Sequence, residues 1–401
     1  MHASKQNAER PRVEARQESR FSWNNPTVRA VVYQALAVAL IGWTAWFLVS
    51  NTLQNLSARN ITTGFEFLHR EAGFAIGESI ISYSPSDTYG RAILVGIVNT
   101  LRVSALGIVL ATVIGTFVGI ARLSRNWLTR NLASGYVEVL RNTPLLLQLF
   151  FWYALITENA PGPRQAWNPV TGVYISNRGI KVPGLVDNVG LDYLAFGFVA
   201  AVVLVLVIAH LARRHQMRTG QRWRTGYLYV LLLLGLPLAG WWIAGAPAEL
   251  DVPVLKGFNF VGGITLSPEF TALLTGLVLY SSAFVAEIVR SGIQSVDPGQ
   301  WEAARSIGLR PTLVMRLVIL PQALRVIVPP MTSQYLNLVK NSSLAIAVGY
   351  PDIVSVVNTT LNQTGQAIEG VAIIMAAYLT VSLAISIFMN WYNRHIALVE
   401  R

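Results

Sequence analysis

Long hydrophobic runs separated by shorter polar stretches are the dominant pattern of this sequence. A helix needs about 20 mostly apolar residues to cross a bilayer, and runs of that length occur about eight times. Their approximate positions are 30–50, 93–121, 136–157, 194–212, 226–246, 269–290, 325–347 and 371–391. The pattern therefore predicts an all-α, polytopic membrane protein with about eight membrane-spanning helices.

Composition supports a membrane location and narrows the set of partners. Hydrophobic residues make up 53% and charged residues 13% of the 401 residues, whereas a soluble domain has about 25% charged residues. The net charge of +11 is attributed to basic cytoplasmic loops, so membrane lipid is expected as a partner and nucleic acid is not. The sequence contains no cysteine, which excludes disulfides and thiolate metal sites.

Basic residues are concentrated in alternate loops. If the N-terminus is cytoplasmic, the predicted cytoplasmic segments hold about three times as many lysines and arginines as the outer segments. This bias predicts an even number of spans with both termini in the cytoplasm. It also places the charged segment 297–325 in the cytoplasm, between the sixth and seventh spans. The long outer loop 158–193 is rich in Gly, Pro and Asn and is expected to be ordered or semi-ordered.

The segment 297–325 is too charged to span a membrane and too apolar for a plain solvent loop. Asp297 and Pro298 suit the start of a helix, and Gln300 stands where a capping-box partner belongs. Gly308 is expected to end or kink this helix, because glycine adopts the left-handed conformation at a helix C-terminus at little cost.

A second short helix is predicted to follow the first. Pro311 suits its first position, and Pro321 is expected to interrupt it near the membrane. Four leucines fall on one face of this helix: Leu313, Leu317, Leu320 and Leu324. Two interpretations of the whole segment stay open, namely an element that docks into a cleft on another protein and an amphipathic helix that lies on lipid headgroups.

Several stretches of the sequence resemble ABC-importer permeases. Glu302-Ala303-Ala304, followed by Gly308 and then by Ile319-Leu320-Pro321, matches the EAA signature of that family. The resemblance to its polar amino acid branch, of the histidine, glutamine and general L-amino acid type, rests on four further stretches. They are NTLRVSALGIVLATVIGTFVGIAR (99–122), VEVLRNTPLLLQLFFWY (137–153), AFVAEIVRSGIQSVDPGQWEAA (283–304) and LVKNSSLA (338–345).

The resemblance implies a type I ABC importer transmembrane fold in the cell inner membrane. It covers roughly 93–157 and 264–395, and the additional material is similar to the larger general L-amino acid permeases. The implied layout is a cytoplasmic tail at 1–29, an accessory helix with a periplasmic loop at 30–92, a permease domain at 93–395, a two-helix insertion at 158–263 and a coupling loop at 297–325.

The same resemblance implies the partners. A second, related permease would complete a homo- or heterodimer, two ATP-binding subunits would bind the coupling loops, and a periplasmic amino-acid-binding protein would deliver L-amino acids. No cofactor is expected in this chain, since ATP and Mg²⁺ would be bound by the partner ATPase. The residues implied to couple the spans to the ATPase are Glu302, Ala303, Ala304, Arg305 and Gly308.

Ionisable residues also lie in or near the predicted spans, where burying one costs about 2.5–3.5 kcal/mol. One account is mutual pairing, for which Glu138 and Arg141 have the right helical spacing. The other is a site for a zwitterionic amino acid, since arginine binds a carboxylate through two hydrogen bonds. Pro144, next to Arg141, is expected to break its helix, and broken helices expose backbone groups. The candidate residues of this substrate path are Arg102, Arg141, Asn142, Thr143, Glu287, Lys340, Asn341 and Ser342.

The sequence offers no energy source of its own. No lysine follows a glycine, so a GK[ST] phosphate loop is impossible, and no H-E-x-x-H metal signature is present. We therefore predict a transporter subunit and not an enzyme. The alternatives are a stand-alone secondary transporter or channel, which would show inverted repeats, and an intramembrane enzyme, which would need a nucleophile–base or metal set. Gly115 and Gly119 indicate close helix packing rather than chemistry.

Overall fold

The chain forms two units, Met1–Phe65 and Glu66–Arg401. The structure is a computed structural model, and it describes residues 26–58, 64–185, 188–220, 223, 225–245 and 250–396. Most of the predicted cytoplasmic tail at 1–29 therefore lies outside the described residues. The described part of the first unit forms α1 (Pro26–Ala58), whose 33 residues are enough to cross a bilayer.

The second unit consists mainly of helices. They are α2 (Tyr89–Ala121), α3 (Trp127–Asn142), α4 (Leu145–Ala154), α5 (Asn188–Thr219), α6 (Gly226–Ile243), α7 (Pro268–Gln294), α8 (Pro298–Ser306), α9 (Pro311–Leu313), α10 (Leu320–Asn341), α11 (Ile353–Thr364) and α12 (Ala367–Ile396). Among the described residues, seven helical segments are long and apolar enough to cross a membrane, or eight if the bent pair α3 and α4 is one span. The predicted number of spans is confirmed.

The bend between α3 and α4 lies where the sequence predicts a helix break. The two helices meet at an angle of 103°, because Pro144 lacks the backbone N–H that a continuous helix needs. The carbonyl groups left free are partly satisfied by the Gln148 side chain, whose Nε2 donates to Leu140 O at 2.9 Å and to Thr143 O at 3.0 Å.

The helix after α8 differs from the prediction. It was expected to be interrupted by Pro321, but helical structure runs on from α9 through a π-helical turn at Val314–Ile319 into α10. Pro321 lies in the first turn of α10, where the wider turn before it accommodates the missing N–H. The span is therefore one segment, Pro311–Val348, longer than the predicted 325–347.

The centre of the second unit is α7, which packs against α2, α3, α4 and α10. The contact with α2 is close because two glycines of α2 face α7. A Cβ atom at Gly115 would lie 2.5 Å from Val285 Cβ and 2.7 Å from Ser282 O, and one at Gly119 would lie 2.7 Å from Ala286 O. The predicted close packing at these glycines is confirmed.

Among the described residues, eight short β-strands that the sequence analysis did not predict flank the α5–α6 hairpin along the chain. They are β1 (Trp167–Val170), β2 (Val173–Ser176), β3 (Gly179–Val182), β4 (Gly184–Leu185), β5 (Leu250–Asp251), β6 (Val254–Lys256), β7 (Asn259–Val261) and β8 (Ile264–Leu266). The largest sheet has the order β1-β2-β3-β8 and is antiparallel, with Lys181 opposite Thr265. The chain thus leaves this sheet after β3, forms α5 and α6, and returns to pair with the strand that it left.

The sheet defines one end of the helix bundle. β8 continues directly into α7 through Ser267, whose side chain caps that helix by accepting from Phe270 N at 3.0 Å. We call this the sheet end, and the opposite end, where α7 is followed by α8, the α8 end. Also at the sheet end, a buried cluster joins Phe67 and Tyr89 to Ile353 and Val357.

The close contact between α2 and α7 predicts the cost of a small substitution. We expect Gly115→Ala to lower the free energy of unfolding by about 1–3 kcal/mol, because the added methyl group overlaps Val285 and the Ser282 carbonyl. Gly135→Ala in α3 is the matched control, since no atom lies within 4 Å of a Cβ there, and it should be neutral or slightly stabilising. Thermal unfolding in one detergent measures both, and equal effects would contradict the prediction.

A second prediction concerns Asp352, the buried N-cap of α11, which accepts from Ser355 N at 2.9 Å. Burial raises the pKa of its carboxyl from 3.8 to about 7, so the folded protein favours the neutral form. As pH rises from about 4 to about 7 the unfolded chain ionises first, and stability falls by at most about 4 kcal/mol. Asp352→Asn keeps the cap and cannot ionise. Its melting temperature should decline less than that of the wild type between pH 5 and pH 8, and parallel curves would refute this assignment.

Candidate functional site

The charged segment at the α8 end has the local structure that its sequence predicts. Asp297 caps α8 by accepting from Gly299 N at 2.6 Å. Gly308 follows the helix with a φ of +79°, which confirms its left-handed conformation. The side chain of Gln300 does not close the expected capping box, because its Oε1 accepts from Gln322 Nε2 at 3.3 Å.

One face of α8 is anchored and the other is open. Ala304 is buried in a cluster with Val296, Val314 and Ile319. On the open side, Ile307 is 75% exposed. Glu302, Ala303, Arg305 and Gly308 are also exposed. A short, anchored helix whose free side carries small, apolar and charged side chains has the form of a docking element. The predicted leucine face of the next helix is also free, since Leu313, Leu317 and Leu320 are exposed and Leu324 only partly buried.

A polar cavity of about 400 Å³ lies near the α8 end, between α2, α3 and α7. It brings together three of the predicted substrate-path residues, Arg141, Asn142 and Glu287, and adds Arg122 and Glu138. Sequence reasoning placed Arg122 in a loop and missed its partner. Arg122 lies one residue beyond α2 and forms an ion pair with Glu287, which also binds Arg290.

The prediction that Glu138 and Arg141 form an ion pair is wrong. Within the described part of the chain, the only ion pairs are those of Glu287 with Arg122 and Arg290 and that of Arg102 with Glu78. Both Glu138 and Arg141 are exposed, where such a pair contributes little. The guanidinium of Arg141 instead lies over the ring of Phe284, 5.0 Å from its centroid.

A second polar cavity, of about 370 Å³, lies at the sheet end. Its lining includes Glu78, Ser267, Glu269, Ser355 and Thr359. Two carboxyl groups and three hydroxyl groups make this cavity acidic and rich in hydrogen-bonding groups. Sequence reasoning missed Glu78 and Glu269, because one lies in a loop without periodicity and the other at the edge of a predicted span.

Arg102 lies at the sheet end, against Glu78 of the sheet-end cavity, and does not itself line either cavity. Its Nη1 is 2.5 Å from Glu78 Oε1, and its guanidinium lies over the ring of Phe270, 4.1 Å from the centroid. Ser267 Oγ donates to Glu78 Oε2 at 2.5 Å, and Asn99 Nδ2 donates to the Glu78 carbonyl oxygen at 2.8 Å. The Glu78 carboxylate thus lies between Arg102 and Ser267.

The remaining predicted residues line neither cavity. Thr143 is next to the bend, and its Oγ1 donates to Val139 O at 2.8 Å. Lys340 is exposed at the end of α10, Asn341 follows it, and Ser342 is buried with its Oγ donating to Val339 O at 2.7 Å. In the part of the chain that the structure describes, no group of three or more His, Cys, Asp or Glu residues could hold a metal ion.

Comparison with known proteins decides the family. Residues 224–398 match the family described as binding-protein-dependent transport system inner membrane component. The chain is 53% identical to protein YhdX of Escherichia coli (strain K12), which is named as an amino-acid ABC transporter permease, and the match covers 95% of this chain and 97% of that protein. The chain belongs to the amino-acid ABC transporter permeases.

A further relative agrees with this membership. This permease is 47% identical to the general L-amino acid transport system permease protein AapQ of Rhizobium johnstonii, over 95% of this chain and 96% of that protein. Among solved structures, one titled as a crystal structure of an amino acid ABC transporter with histidines aligns with a TM-score of 0.46 at 24% identity, covering 77% of this chain and 95% of that chain.

Membership in the family confirms the predicted fold and class. The permease has a type I ABC importer transmembrane fold and is a multi-pass integral membrane protein of the inner membrane. It is a transporter subunit, and its relatives are the permease components of ABC importers.

Glu287 forms two ion pairs in the cavity near α8, and we predict which of the two is the stronger. The Arg122 side chain is 13% exposed and that of Arg290 is 29% exposed, so the first pair is the better shielded from solvent. We expect the Arg122–Glu287 coupling energy to be about 2 kcal/mol and that of Arg290–Glu287 to be below about 1 kcal/mol. Double-mutant cycles of glutamine substitutions, measured by thermal unfolding, give both energies. A larger coupling for Arg290 would show that burial does not control this cluster.

Proposed function

We propose that this permease imports L-amino acids of a broad range, driven by ATP hydrolysis on a separate subunit. The observation that carries the proposal is the geometry of α8, which is anchored to the bundle on one face and open on the other. The names of the relatives supply the substrate class. The proposed assembly pairs this chain with a second permease, two ATP-binding subunits that hold ATP and Mg²⁺, and an amino-acid-binding protein.

The proposed orientation places the α8 end in the cytoplasm, with both termini, and the sheet end in the periplasm. The bias of arginines and lysines towards the predicted cytoplasmic segments supports it. In the proposed layout, the permease domain is 93–395, and its insertion at 158–263 adds two further spans, α5 and α6, with most of the strands on the periplasmic side. The tail at 1–29 and the accessory helix segment at 30–92 precede it.

The two polar cavities suggest the route of the substrate. Glu269 and Glu287 lie 18 residues apart on α7, which corresponds to about 27 Å along the helix axis. Between them, Leu273 and Leu277 of α7 are fully buried against Leu149. Within this chain, a packed core therefore separates the two cavities. We propose that ATP binding draws α8 towards its counterpart and opens the sheet-end cavity, and that hydrolysis reverses the movement.

The docking role of α8 is tested at Gly308. No atom of the described chain lies within 4 Å of a Cβ at this position, so an added side chain projects towards whatever binds α8. We expect Gly308→Asp to leave the protein inserted and folded, to lose the copurifying ATPase subunit, and to lower uptake of a labelled L-amino acid mixture at least tenfold.

Gly220→Asp, beyond the end of α5, is the matched control. Gly220 has a φ of +73° and equally open surroundings, so the two substitutions introduce the same backbone strain and the same charge. Gly220→Asp should retain both the ATPase subunit and uptake. Normal uptake by Gly308→Asp would count against the docking role, and uptake into liposomes without ATP would overturn the proposed function itself.

A further inference from the structure

We propose that Arg102 and Ser267 form a receptor for the carboxylate of a substrate amino acid, and that Glu78 of the same chain occupies this receptor until the substrate displaces it. The inference rests on the proposed function, because it assumes that L-amino acids enter at the sheet end. In this proposal, Arg102 and Ser267 are the binding site, and the Glu78 carboxylate competes with the substrate for it.

The contacts of Glu78 are those that a free carboxylate would make. One oxygen binds the guanidinium of Arg102 at 2.5 Å, and the other accepts from the Ser267 hydroxyl at 2.5 Å. Charge-assisted hydrogen bonds of this kind are the usual means by which proteins hold carboxylates. Phe270 packs against the guanidinium at 4.1 Å and keeps it directed at the site.

The cavity beside Glu78 offers the second half of a site for a zwitterion. Glu269 lines it and accepts from Tyr153 Oη at 3.3 Å, and no described Lys or Arg forms an ion pair with it. Its carboxylate is therefore available to an ammonium group. The volume of about 370 Å³ lies at the lower end of the range for small-molecule sites. Arg102 does not line the cavity, because Glu78 lies in front of it, so the cavity now presents acidic groups and hides its cation.

Glu78 lies in a loop whose base is closed by two backbone hydrogen bonds, from Ala72 N to Asp87 O and from Gly73 N to Pro85 O, both at 2.8 Å. Between them, side chains supply most of the hydrogen bonds that hold the loop. Tyr83 Oη donates to Phe74 O at 2.8 Å, Arg91 Nη2 donates to Ser82 O at 2.9 Å, and Asn99 Nδ2 donates to Glu78 O at 2.8 Å. Glu78 lies between His69 and Tyr89, where the chain forms no helix and no named strand. A segment held in this way can open locally without disturbing the helix bundle.

Displacement of one carboxylate by another also avoids an energetic obstacle. Removing Glu78 alone would leave Arg102 partly buried and unpaired, which is strongly unfavourable. An incoming substrate carboxylate replaces Glu78 at the same guanidinium, so Arg102 keeps a partner throughout. The exchange therefore couples arrival of the substrate to release of the segment.

The test measures binding of amino acids to the purified, complete complex in lipid nanodiscs, without the binding protein. The probe is a ¹⁴C-labelled mixture of L-amino acids, with a mixture of the corresponding α-amides as competitor. We expect Glu78→Gln to lower the apparent Kd at least tenfold, because the internal competitor is gone, while the α-amides fail to compete. The double variant Glu78→Gln/Arg102→Gln, which leaves no unpaired charge, should lose this gain and bind at least tenfold more weakly than Glu78→Gln.

Glu71→Gln is the matched control, since Glu71 is an exposed carboxylate in the same segment, and its Kd should equal that of the wild type. The inference is overturned if Glu78→Gln binds no more tightly than the wild type, including the case in which neither binds, because Glu78 is then only a structural fastening. Effective competition by the α-amides would overturn it as well. ATP-driven uptake by the wild-type complex with its binding protein is measured separately, and failure of that assay would reject the proposed function rather than the receptor.

Discussion

The close contact between α2 and α7 determines where the polar groups of this permease lie. Gly115 and Gly119 let the two helices approach until a single methyl group would overlap the partner. The helices run in the same direction, because Gly115 faces Ser282 and Val285 and Gly119, one turn later, faces Ala286 and Val289. At each end of the contact, an arginine in α2 or just beyond it meets a group on α7. At the sheet end, Arg102 of α2 packs on Phe270 of α7, and towards the α8 end Arg122 binds Glu287. The packing of α2 against α7 thus also fixes the positions of Arg102, Arg122 and Glu287.

The bend between α3 and α4 serves the same arrangement. Because α3 ends just before Pro144, Arg141 and Asn142 lie at a helix terminus, where they line the cavity near α8. In a straight helix, the following residues would continue along the α3 axis instead of turning away. Gln148 supplies hydrogen bonds to two of the carbonyl groups that the break frees. The break is therefore stabilised in part from within α4.

Local signals account for what could be predicted from the sequence. The cap at Asp297, the left-handed Gly308, the close packing at Gly115 and the break at Pro144 each follow from residues within one turn or one face of a helix. The ion pairs could not be derived in this way. Glu78 reaches Arg102 from a loop without periodicity, and Arg122 pairs with Glu287, which lies 165 residues further along the chain. The pairing of β3 with β8 likewise depends on a partner strand that the chain forms only after α5 and α6.

The pairing of β3 with β8 also has a consequence for how the chain length of such permeases can vary. Val182 stands opposite Ile264 in neighbouring antiparallel strands, so the chain enters and leaves the α5–α6 hairpin at almost the same point. The segment between Val182 and Ile264 thus begins and ends at neighbouring positions of one sheet. A tight hairpin turn could replace this segment without moving Ser267 or the first turn of α7. Two extra transmembrane helices can therefore be inserted or removed as one unit, and the pairing of β3 with β8 marks the point of insertion.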